Sequence, residues 1–92
     1  MIVRIQGEGQ YRVPSAVLDD LNEIDNRLVS IVAKGETAEF SVALGQLLTL
    51  VRTHGKVVEL EELVESDVML PPDDTTMDEA QHLFTGDGVI PG

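Results

Sequence analysis

Two histidines, His54 and His82, are the residues of this 92-residue chain best placed by type for proton transfer or metal ligation near neutral pH. Neither has a second histidine at ligand spacing, and the chain contains no cysteine, so a thiolate metal site and a disulfide framework are both excluded. Each histidine falls near the end of a predicted helix, where an imidazolium complements the helix dipole. The carboxylates Asp73, Asp74, Asp78 and Glu79 cluster, but a calcium loop needs alternating ligands, a central glycine and a bidentate glutamate at the twelfth place. The cluster lacks that glycine and that length, and reads as acids at a helix N-terminus. Glu59, Glu61, Glu62 and Glu65 read as a solvated face. Gly7-Glu8-Gly9 lacks the third glycine and following helix of a phosphate-binding loop, and its glutamate would repel phosphate. Ser15, Ser30, Ser41 and Ser66 have no nucleophile-elbow context. No nucleophile, base and orienting group converge, so no catalytic, metal or cofactor-binding residue is assigned. The expectation is a protein that binds and does not catalyse.

The elements that would position a binding surface follow from hydrophobic spacing. Residues 2–6 alternate, with Val3 and Ile5 on one face and Arg4 and Gln6 on the other. Residues 10–13 alternate likewise, with Tyr11 and Val13 together. The glycine-containing loop between them makes a β-hairpin. Such a hairpin is marginal in water unless its apolar face is covered. A helix opening at Pro14 and Ser15, with Ser15 as N-cap, supplies the cover through Val17, Leu21, Ile24, Leu28 and Ile31, widened by Leu18 and Val32. Lys34 closes it and Gly35 stops it. Thr37 is expected to cap a second helix whose stripe is Phe40, Ala43, Leu44, Leu47, Leu48 and Val51, ending at Gly55. The short link forces the two helices antiparallel. Gly45 inside this helix costs about 1 kcal/mol against alanine, and close packing on a neighbour is the expected reason for it.

Beyond Gly55 the patterns weaken. Lys56-Val57-Val58 reads as a short strand, and residues 59–64 as a turn of helix or a strand. Residues 66–70 run into Pro71-Pro72, which imposes an extended path. Thr76 and Glu79 match a capping box before Ala80, Leu83 and Phe84, predicting a third helix from about Met77 to Thr85. The fold class expected is α+β: an N-terminal β-hairpin packed on an antiparallel helical hairpin, with an irregular C-terminal segment carrying a short helix, in one domain spanning residues 1–92.

Hydrophobic residues make up 42% of the chain, enough to argue against disorder, and with few aromatics the core must be aliphatic. Seventeen acidic residues against six basic give a net charge of −11. That charge disfavours nucleic acid and anionic lipid surfaces; it either serves solubility alone or also steers a basic partner toward the chain. No apolar run approaches the ~20 residues needed to span a bilayer, and the opening lacks the regions of a signal peptide, so a cytoplasmic location is expected. The tail at Val89 and Ile90 is apolar: it either packs across the domain or forms an exposed docking patch. The candidate contact surface is the turn at Gly7, Gly9, Gln10 and Tyr11 together with Val89 and Ile90.

Several stretches carry a family resemblance. MIVRIQGEGQYRV from Met1 to Val13, LDDLN from Leu18 to Asn22, LLTLVRTHG from Leu47 to Gly55, LVESDVMLPP from Leu63 to Pro72 and GVIPG from Gly88 to Gly92 together resemble the PspA-associated protein family, PspAA. The resemblance covers nearly the whole chain, the hairpin and the ending being its most distinctive parts. It implies a small cytosolic partner of PspA, the coiled-coil protein of the phage-shock envelope-stress response. It carries over no active site. The rival expectations are a small-ligand sensor with a pocket between ribbon and helices, and a homo-oligomeric module such as a homodimer, formed through the tail or an open hairpin edge.

Overall fold

The computed structural model describes residues 1–59, 61–84, 88 and 90. Strand β1 (Ile2–Ile5) turns into β2 (Gly9–Arg12), and a 3-10 turn at Ser15–Val17 leads into α1 (Leu18–Lys34) and α2 (Thr37–His54). A short β3 (Lys56–Val57), β4 (Val68–Leu70) and α3 (Met77–Leu83) follow. The sheet order is β3-β2-β1-β4; β4 runs parallel to β1, and the other pairings are antiparallel. The architecture is α+β, as the hydrophobic spacing anticipates.

Helices α1 and α2 cover one face of the sheet. Val3 and Ile5 of β1, and Val68 and Leu70 of β4, point into the same core as Leu21, Leu28, Leu44, Leu47 and Leu48. All six residues of the predicted α2 stripe are buried. In α1 the buried line is Leu21, Asp25, Leu28 and Val32, with Ile24 and Ile31 only half-buried. The expected stripe faces the core, with its centre turned slightly toward Asp25 and Val32, so that a carboxylate points inward.

Both expected N-caps are replaced. Ser15 forms the 3-10 turn, α1 begins three residues later, and Val17 stands at its N-cap without a side-chain bond. Glu36, not Thr37, precedes α2, again without a side-chain bond. The reason is the tight link. Gly35 adopts φ 69°, its N–H donates to Val32 O, and the Glu36 N–H donates to Ile31 O, so one helix is closed and the next opened within two residues. At α3 the capping box forms as expected, with Thr76 Oγ1 accepting from the Glu79 N–H and Glu79 Oε1 accepting from the Thr76 N–H. The helix spans Met77–Leu83, and the expected end at Thr85 and Gly86 lies outside the described residues.

Residues 66–70 do more than pass through an extended path. The Asp67 N–H donates to Ile2 O at 2.7 Å, and its carboxylate accepts from the Ile2 N–H at 2.8 Å, which seats β4 beside β1. The described residues between 59 and 64 form neither helix nor strand. Phe84 packs edge-on against Phe40, with ring centroids 6.0 Å apart, pinning the end of α3 to the start of α2. Side chains of the sheet and of both helices meet in this one core between ribbon and helices.

Candidate partner-binding site at the hairpin

Gly7 and Gly9 have φ of 81° and 140°, conformations that glycine reaches without steric cost, and they close the hairpin around Glu8. The Glu8 carboxylate accepts from Arg52 Nη2 at 2.6 Å, from Arg52 Nε at 2.9 Å, and from the Tyr11 hydroxyl at 2.6 Å. Arg52 also reaches Asp73 Oδ2 at 3.1 Å. The hairpin tip is thereby tied to the end of α2 and to the loop after β4. The Arg52 guanidinium, and then the Tyr11 hydroxyl, hold the Glu8 carboxyl below its ordinary range. The same bond to Glu8 raises the Tyr11 phenol.

On the sheet face away from the helices, Gln10 Nε2 donates to Val64 O at 3.0 Å and to Ser66 Oγ at 2.8 Å, and Arg12 pairs with Glu62 at 2.8 Å. These bonds hold the segment after β3 above the open face. Beneath it lies a cleft of about 440 Å³ whose lining includes Arg4, Gly9, Gln10, Tyr11, Val57 and Leu63. Leu63 is 97% exposed and Val57 68%, so the mouth of the cleft is apolar. Glu8, Glu59 and Glu62 rim it, and Arg4 is half-buried within it without an ion pair or hydrogen bond among the described residues.

Of the residues singled out in the sequence, Gly9, Gln10 and Tyr11 come together in this cleft. Gly7 lies on the other side of the turn, bordering a hollow with Gln6, Pro71 and Thr75. Ile90 does not join them. It is 2% exposed in the core, where its N–H donates to Asp25 Oδ2, so its place is internal and not on a surface patch. Val89 lies outside the described residues. Sequence reasoning placed Arg4 outward but gave it no role, and it missed Val57 and Leu63. A bare leucine in an acidic loop was the available signal for the latter.

His54 and His82 are exposed near the ends of α2 and α3. Among the described residues no group of three or more histidines and carboxylates could hold a metal ion, and no helix is long and apolar enough to cross a membrane. The cleft thus presents the Arg4 guanidinium beside an apolar lip, while the Gln10 amide is engaged by Val64 and Ser66 and the Tyr11 hydroxyl by Glu8.

Comparison with known families decides the kinship, because the family model described as "PspA-Associated protein" matches residues 1–92. The chain belongs to the PspAA family. No curated protein and no solved structure matches it. The PspAA match covers hairpin, helical pair and C-terminal segment alike, so the cleft and the helical layer both lie within the family region.

Proposed function

We propose that this chain is a small cytoplasmic adaptor or regulator that binds a PspA-like coiled-coil protein in a phage-shock-type membrane-stress response, acting by association and not by catalysis. The observation that carries the reading is the match of the PspA-associated family over the full 92 residues. The physical properties are compatible with it. A net charge of −11 favours docking onto basic stretches of a long helix. The Glu8–Arg52–Asp73 tie and the packed helical pair supply a surface that is already ordered, which lowers the entropic cost of binding.

The test is co-purification of the tagged chain from its native cells under membrane stress, followed by titration of the purified pair. Recovery of a PspA-like protein at moderate salt, weakening as salt rises, supports the reading. Recovery of the chain alone, with PspA present in the lysate, argues against it.

The cleft favours a second reading, that of a small-ligand sensor. Arg4, which has no ion pair or hydrogen bond among the described residues, would take a carboxylate or another acidic group of the ligand. A metabolite screen by thermal shift tests this: a ligand that raises the melting temperature of the wild type but not of Arg4→Gln would favour it.

A further inference from the structure

We infer that the outward groove between α1 and α2 is a docking site for one helix of a coiled coil, a helix with an apolar heptad seam and basic flanks. The inference rests on the PspA-directed reading above and names the surface that would carry it.

The groove consists of two hollows. Ile24, Val42, Gly45 and Leu50 form the apolar part of one of about 520 Å³, with Gln46, Thr49 and His54 also lining it; Ile31, Ala38 and Val42 form the apolar part of another of about 400 Å³, bordered by Arg27 and Glu39. They meet at Val42, which is 62% exposed, and the hydrogen bond from Arg27 Nη2 to Gln46 Oε1 at 2.7 Å joins the two helices beside them. A glycine inside a helix costs about 1 kcal/mol against alanine. Nothing lies within 4 Å of where a Cβ on Gly45 would stand, so packing within this chain does not account for it. The expected close neighbour is absent on the inside, and the open side of Gly45 faces the groove. From residue 40 to residue 51, moreover, α2 carries no charged side chain, in a chain that is 25% charged. A solvated helix face would normally carry charges.

Spacing identifies the shape of the occupant. Ala38 and Gly45, one in each hollow, are seven residues apart, about 10 Å along the helix axis. A heptad repeat presents apolar side chains at that same rise. Successive knobs from one helix would therefore drop into successive hollows, and the absent side chain at Gly45 lets the second backbone come close.

Charge identifies its flanks. Asp20 and Glu23, one turn before Ile24 and Arg27, and Glu39 beside the second hollow are exposed and have no ion-pair partner among the described residues. Arg27 and Lys34 offset them only in part, and the chain as a whole carries −11. A second copy would bring the same −11 and the same carboxylates, and an anionic lipid surface would be repelled likewise. A lysine- or arginine-flanked helix meets both the apolar floor and the acidic rim.

The experiment is titration of the purified chain against the purified PspA-like protein of the same organism, by calorimetry, for wild type, Gly45→Leu and Val42→Asp. Gly45→Leu places a bulky side chain at the first hollow, at a position where a Cβ meets nothing within 4 Å, and Val42→Asp adds a carboxylate at the point where the hollows meet. Thermal melts monitored by circular dichroism establish that each variant is folded. The expected result is a loss of affinity of tenfold or more in both, with cooperative melting retained. If the wild type binds and both folded variants bind equally well, the groove is not the docking site, while the PspA-directed function stands. If the wild type itself does not bind, that function fails and takes this inference with it.

Discussion

The carboxylate of Asp25 in α1 accepts the backbone N–H of Ile90 at 2.9 Å, across 65 residues of sequence, in a site where Asp25 is 1% exposed. This bond ties the Ile90 backbone to α1, and the Ile90 side chain is buried in the core. Gly88 is part of the same latch. Its φ is 81°, and a Cβ there would stand 2.5 Å from Asp25 Oδ2. Gly88 and Ile90 are thereby structural elements of the fold.

The first prediction concerns that latch. Gly88→Ala combines a left-handed backbone with a steric clash and should destabilise the domain by about 2–3 kcal/mol. Asp25→Ala leaves a buried N–H without its acceptor and should cost about 1–3 kcal/mol. Urea denaturation at neutral pH measures both. Wild-type midpoints in the two variants would mean that the latch contributes nothing to folding.

A second prediction concerns pH. The Glu8 carboxyl is held below its ordinary range by Arg52 and Tyr11, so it binds a proton more readily in the unfolded chain than in the folded one. Its contribution is therefore fully present above the unfolded pKa of about 4.5 and is lost as pH falls through the lower folded value. Glu8→Gln should melt lower than wild type at neutral pH and should show a shallower loss of stability on acidification. Because the pair is partly exposed, added salt should narrow the difference between the two proteins. Melting temperatures from pH 7 down to pH 3, at low and high salt, check both points.

Gly45 gives a prediction of opposite sign. Gly45→Ala adds a methyl group to open space in a helix interior, so it should stabilise the domain by about 1 kcal/mol and raise the melting temperature by roughly 4–8 °C. A destabilised variant would mean that Gly45 packs against something within the chain.

Phe84 tests how far the C-terminal segment shares in the core. It is 1% exposed and meets Phe40 edge-on. Phe84→Ala should cost about 3–5 kcal/mol, a large part of the 5–15 kcal/mol typical of a small domain. Denaturation followed by a helical and by a tertiary probe should give coincident transitions in the wild type. A variant that loses only α3 while the rest melts as before would show the segment to be an appendage.

Much of the fold was legible in the chain itself. The stripe from Phe40 to Val51, the alternation around Val3 and Ile5, the stop at Gly35 and the capping box of Thr76 with Glu79 are short-range patterns. They depend on residues one to four positions apart, and local backbone geometry turns them directly into helix, strand and cap. Membership of the PspA-associated family was likewise readable from the hairpin and the ending. At the candidate site, the turn at Gly9, Gln10 and Tyr11 was legible for the same local reason.

Tertiary structure alone decided the rest. Periodicity does not say which partner a short strand will choose, and Val68–Leu70 found β1 through Asp67 and Ile2. Nor does it say that a carboxylate in an amphipathic helix turns inward, because the group that makes Asp25 tolerable there arrives 65 residues later. The cleft over Arg4 exists because Gln10 and Arg12 hold a separate segment above the sheet. The groove at Gly45 is visible only once α1 stands beside α2. Each of these is a meeting of distant segments, settled by packing and by the need to satisfy buried polar groups, and a local sequence pattern carries no record of it.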